Sequence, residues 1–145
     1  MSHIRFRALT VLVFAAALAA SCGDDTPTTP STTSDVRSNE TFSATLSPGQ
    51  SQFYSFTTVS AGTTDVTLVS LRPVGNPTAT LNAVVGLGLG TPQMTDCALS
   101  SATTTAPSLK TQVSVATNVS TYCVKISDVG NLSAAVDYTI RVMHP

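Results

Sequence analysis

The chain has 145 residues, 42% of them hydrophobic and only 10% charged, with seven basic and eight acidic side chains and a formal net charge of −1. It carries no basic run and no cluster of arginines with aromatics, so the electrostatic footprint of a nucleic-acid binder is missing and no nucleic-acid partner is expected. Three cysteines, two histidines and no tryptophan narrow the chemistry further.

In chain order, the first element reads as an address. Arg5 and Arg7 precede a charge-free run from Ala8 to Ala20, and small residues lead into Cys22, Gly23 and two aspartates. This is the layout of an export signal. The apolar segment, about 13 residues, is too short for the ~20 that cross a bilayer as a helix, so it is not read as a transmembrane anchor. Ala19, Ala20 and Ser21 before Cys22 resemble the lipobox of bacterial lipoproteins. That resemblance implies cleavage before Cys22 and transfer of a diacylglycerol to its thiol. It further implies the outer membrane, because Gly23 rather than aspartate follows the cysteine. Lipidation also suits the cysteine parity. An exported chain with an odd cysteine pairs it between molecules or uses it for something else. If Cys22 carries lipid, Cys97 and Cys123 remain as an even pair.

Residues 1–21 are thus expected to be a lipoprotein signal peptide, 22–39 a tether and 40–145 the working domain. After cleavage the balance is mildly acidic, with Arg37, Arg72, Lys110, Lys125 and Arg141 the only basic side chains. From Gly23 to about Asn39 the chain is rich in Thr, Ser, Pro and Asp, with Val36 its only large apolar residue. Such a segment cannot bury enough surface to offset the entropy of ordering, and its prolines favour extended local conformations. It is read as a spacer between the lipid and the domain.

Beyond Asn39 apolar residues recur on alternate positions. Leu81, Ala83, Val85, Leu87 and Leu89 do so, as do Tyr122, Val124 and Ile126, and then Val136, Tyr138, Ile140 and Val142. Period two places one face of a strand in a core and the other in water. Shorter segments, TFSATL, QFYSFTT, TDVTLVSL and TQVSVA, share the β-branched and aromatic content of strands. Turn signals such as SPGQ, SAGTT, RPVGNP and DVGN separate them. Seven or eight short strands without a convincing helical stretch predict an all-β, antiparallel, jelly-roll-like sandwich, with a closed barrel as the alternative.

Gly86, Gly88 and Gly90 superficially resemble a phosphate-cradling loop, but they lack both phosphate-binding spacings and no helix follows. A bend or a close backbone approach is the expected reading. Cys123 points away from the apolar face of its strand, while Cys97 is placed in a loop-like segment, PQMTDCALSS. A disulfide between them is expected in an exported protein, in preference to free thiols or a metal site. It would close a loop of about 27 residues and stabilise by about 2–4 kcal/mol. Two cysteines without nearby histidines do not suggest zinc.

Catalysis by a nucleophile and histidine needs a well-placed imidazole. His3 departs with the signal, and His144 stands one residue from the end of the sequence, where fraying is the expectation. The carboxylates Glu40, Asp65, Asp96, Asp128 and Asp137 fall in no recognisable catalytic motif. No enzymatic activity, catalytic residue or cofactor is expected. Asp128 with Asn131, and Asp96 in its loop, are weak calcium candidates, because that ion wants six to eight oxygen ligands and a tight turn explains Asp128, Gly130 and Asn131 more simply. Phe53, Tyr54, Phe56, Tyr122 and Tyr138 could build a sugar-stacking platform, although such residues more often fill a core.

Four segments, FSATLSPGQSQFYSFTT, AGTTDVTLVSL, TYCVKISDVGN and VDYTIRV, resemble the bacterial pre-peptidase C-terminal domain over roughly residues 40–143. Leu46, Gly49, Tyr54 and Phe56 take the opening positions of its pattern, and Tyr122, Val124, Ile126, Tyr138 and Ile140 the closing ones. The resemblance implies a jelly-roll-like sandwich that accompanies a secreted hydrolase, here without an attached enzyme domain. Two functional expectations follow. One is a non-enzymatic cell-envelope lipoprotein for binding or surface presentation, attached to a membrane by its N-terminal lipid and meeting an envelope protein or polysaccharide. The other is an accessory module for a separately encoded secreted hydrolase.

Overall fold

The computed structural model describes residues 36–145; the signal, Cys22 and most of the tether lie outside the described residues. Among the described residues there are eight strands and no helix: β1 (Ser38–Leu46), β2 (Ser51–Thr58), β3 (Gly62–Pro73), β4 (Val85–Gln93), β5 (Asp96–Thr105), β6 (Val113–Thr117), β7 (Ser120–Asp128) and β8 (Val136–His144). They form two antiparallel four-stranded sheets, ordered β1-β8-β3-β6 and β2-β7-β4-β5. Two sheets with these crossovers make a jelly-roll sandwich.

Alternation drives the assembly. In β8, Val136, Tyr138, Ile140 and Val142 are buried while Asp137, Thr139 and Arg141 face outward. In β4, Val85, Leu87 and Leu89 enter the same core. Leu46, Val66, Leu68, Leu71, Val124 and Ile126 complete its centre. β3 departs from strict period two. A register shift between Leu68 and Ser70 lets Leu68 and Leu71, three residues apart, both face the core. Leu81 and Ala83 keep the phase predicted for them but precede β4; they pack against the core, and Leu81 donates its backbone N–H to the Leu71 carbonyl at 2.9 Å.

Three expectations need correction. Ser38 and Asn39 belong to β1 rather than to a spacer. Cys97 lies in strand β5, not in a loop. His144 does not fray. It pairs with Ser38 in the β1–β8 ladder, the residue is only 3% exposed, and the chain end is held by the Val59 N–H donating to the Pro145 carbonyl at 3.2 Å. β8 therefore closes against the first strand of the domain.

Antiparallel pairing also sorts the connections. The β1–β2, β3–β4, β5–β6 and β7–β8 connections lie at one end of the sandwich. The β2–β3, β4–β5 and β6–β7 turns lie at the other, together with the entry to β1 and the exit from β8.

Candidate functional site

The carboxylates named from the sequence sit on five different strands, each with its own partner. Glu40 Oε1 lies 3.0 Å from His144 Nε2. Asp65 pairs with Arg37 at 2.8 Å and accepts from the Ser114 hydroxyl at 2.6 Å. Asp96 pairs with Lys125 at 2.7 Å and accepts from the Cys97 N–H at 2.7 Å. Asp137 accepts from the Thr45 hydroxyl at 2.6 Å. His144 also packs against Phe56, ring centroids 5.0 Å apart. Its imidazole thus ties β1 to β8 at the edge of the core.

Asp128 and Asn131 do share one turn, and its geometry is that of a clamp. Asp128 Oδ1 accepts from the backbone N–H groups of Gly130, Asn131 and Leu132 at 2.9, 3.0 and 3.2 Å, while Oδ2 accepts from Gly49 at 2.8 Å. Gly130 supplies the left-handed backbone that the turn needs, at φ +87°. One carboxylate therefore locks the β7–β8 turn to the β1–β2 turn.

The Gly49 N–H, followed by the turn's own N–H groups, holds the Asp128 carboxyl below its ordinary 3.8. Lys125, then the Cys97 N–H, lowers Asp96. Burial pushes Asp65 up, but Ser114 and Arg37 together outweigh it and the net shift is downward. A carboxyl with a lowered folded pKa contributes stability above its unfolded value and loses it as pH falls through the folded one. Stability should therefore be full near neutrality and decline below about pH 4. Melting curves in this acid range should show a shallower decline for Asp128→Asn than for the wild type. An identical slope would remove the clamp from this account.

The aromatic residues divide between core and surface. Phe56 and Tyr138 are buried, and Tyr54 and Tyr122 pack against the core from its margin. The Tyr54 and Tyr138 hydroxyls meet at 2.7 Å, and both reach Gln52 Oε1. Phe42 stacks on Tyr54 at 4.7 Å. Burial first, and then the Tyr54 hydroxyl, pushes the Tyr138 phenol up. These rings build the interior. Phe53 is the exception, standing opposite Lys125 on the outer face of its sheet.

The most developed surface is the outer face of the β2-β7-β4-β5 sheet. Cys97 and Cys123 form a disulfide with Cα atoms 5.9 Å apart, although β4 lies between their strands. The bond crosses over β4 at Gly90, which pairs with Cys123 on one side and Leu99 on the other. A Cβ at Gly90 would run into the Ala98 backbone carbonyl, so only glycine lets β5 fold over β4 there. The close approach expected of the glycine series is found. Both sulfurs are buried, which replaces the picture of a loop reaching an exposed thiol.

Beside this bridge runs a shallow groove of about 330 Å³, floored by the Gly86 and Gly88 backbone and walled by Leu99, Ala102, Lys125 and Ser127. Leu99 is apolar and exposed, whereas Lys125 and Ser127 offer hydrogen bonds, so the groove can hold a ligand with both characters. The glycines alone signalled it in the sequence; Leu99 and Ala102 belong to a strand that carried no period-two pattern. On the opposite face a groove of about 410 Å³ is lined chiefly by Ser43, Thr45, Arg72, Asp137 and Thr139. Ala44 and Pro77 also line it, and its Thr45–Asp137 and Ser43–Thr139 contacts tie β1 to β8. Among the described residues no group of three or more His, Cys, Asp or Glu side chains is arranged to hold a metal ion. Compared with protein-family models and with curated proteins, the chain matches none.

Proposed function

We propose that this chain is a non-enzymatic cell-envelope lipoprotein, anchored through Cys22, whose jelly roll serves as a binding or surface-presentation module. The observation that carries this reading is the Cys97–Cys123 disulfide. It uses both cysteines of the sandwich, which leaves Cys22 as the odd thiol behind an export-like apolar run. A disulfide is also the bond an oxidising, extracytoplasmic compartment preserves. The glycine-floored groove beside it is the surface assigned to the partner, an envelope polysaccharide or protein.

Immobilised full-length mature protein should retain one envelope component, and Ala102→Glu should weaken that capture by roughly tenfold, about 1.4 kcal/mol. Ala102 is exposed, so the variant should melt with the wild type. Unaltered capture by Ala102→Glu would remove the groove from the proposal. Recurrent recovery of a single secreted hydrolase would replace the presentation role with that of an accessory module.

A further inference from the structure

The end of the sandwich that receives the chain from its N-terminal side is also apolar at its tips. Val59 in the β2–β3 turn is 75% exposed, Val119 in the β6–β7 turn 67%, and Met94 at the β4–β5 tip is fully exposed. Three separate connections thus each extend one apolar side chain into solvent from the same end. Val36, just before β1, is 85% exposed there as well. The β2–β3 and β6–β7 turns, residues 59–61 and 118–119, carry no charged residue. Among the described residues, the ionisable groups nearest this end are engaged: Arg37 with Asp65, Lys125 with Asp96, and His144 with Glu40. Met94 holds a left-handed backbone, φ 44°, the only such non-glycine among the described residues, so the hairpin spends conformational strain to present this tip.

We infer that this end docks on the lipid surface, with Val59, Met94 and Val119 entering the headgroup and upper acyl region of the bilayer that holds Cys22. The inference rests on the lipid-anchor reading and adds an orientation to it. Chain entropy favours the end where the chain enters, because the linker reaches that end without being stretched. From Cys22 to Ser38 the chain reaches at most about 55 Å when fully extended. The opposite end also exposes apolar residues, Leu109 at 82% and Val74 at 54%. Bringing it to the bilayer would stretch the linking chain along the length of the sandwich, about 30 Å for nine-residue strands. The end where the chain enters needs no such extension. Shallow insertion of a few apolar side chains is weak alone, but it adds to an acyl anchor as a second membrane signal.

The absence of tryptophan gives a clean probe. Full-length mature protein carrying Val119→Trp, Val59→Trp or Val129→Trp would be reconstituted in phosphatidylcholine vesicles, with and without brominated acyl chains. Val129, 44% exposed, lies in the β7–β8 turn at the far end. Emission of Val119→Trp and Val59→Trp should shift to the blue on reconstitution and be quenched at least twofold by the brominated lipid, while Val129→Trp keeps a water-like, unquenched spectrum. Water-like spectra for both tip variants in protein that floats with the vesicles would overturn the docking and leave the anchor standing. Equal quenching at both ends would overturn it too. Failure of the wild-type protein to float would overturn the anchor, and with it the docking. Matching melting temperatures among the three variants and the wild type establish that each probe reports from the folded sandwich.

Discussion

Gly90→Ala should lower the stability of the sandwich by about 3 kcal/mol or more, at the upper end of what overpacking costs. The added methyl meets the Ala98 carbonyl and the Leu99 backbone, not the end of a flexible side chain, so relief requires β5 to move away from β4. That movement would carry Cys97 off Cys123, because the bridge lies directly over Gly90. For a domain of this size the loss corresponds to a melting temperature lower by roughly 10 °C or more. Gly86→Ala is the matched comparison. Its methyl meets the Ser127 hydroxyl, which can turn aside, so the cost should stay within about 1 kcal/mol. Equal melting temperatures for the two variants would contradict the close crossing of β4 by β5.

The double variant Cys97→Ser with Cys123→Ser should be folded but less stable. The bridge closes a sequence separation of 26 residues, for which the chain-entropy relation gives about 3.5 kcal/mol. Both positions are buried, at 4% and 0% exposure, so the serine hydroxyls also need partners in place of the sulfur bond. The core on the inner face, built from Leu87, Leu89, Val124 and Ile126, does not depend on the bridge. Far-ultraviolet circular dichroism should therefore keep its β-sheet form while the melting temperature falls. A melting temperature equal to the wild type would mean that the bond constrains only the β4–β5 hairpin tip.

The elements legible in the sequence were those whose side chains alternate on a buried sheet. β8 and β4 announce themselves through Tyr138, Ile140 and Val142 and through Val85, Leu87 and Leu89. β5 does not. Its residues, DCALSSATTT, include few large apolar side chains, and it forms an edge strand held by its ladder with β4 and by the Cys97 bridge. A local pattern cannot reveal a strand whose stability comes from a neighbour and a covalent bond. β3 was legible in outline, but its shift between Leu68 and Ser70 changes which residues face inward, a consequence of pairing rather than of composition.

His144 shows the same limit from another side. Nearness to the chain end predicts fraying, yet Ser38 pairs with it across the β1–β8 ladder and Glu40 meets its ring. The pairing of Cys97 with Cys123 followed from parity and compartment. Its passage over a strand did not, although the run of Gly86, Gly88 and Gly90 recorded the required space. The groove left only the glycines as its trace, since its floor is absent side chains and one wall is β5.

The most direct test of an anchored, oxidised envelope module is the intact mass of the protein extracted from membranes without reductant, followed by sequencing of its N-terminal peptide. The account predicts a chain that begins at Cys22 with acyl groups on that residue, and a Cys97–Cys123 bond that leaves no thiol free to alkylation after denaturation. A chain starting elsewhere with an unmodified N-terminus, or one whose Cys97 and Cys123 both take the alkylating reagent, would contradict it.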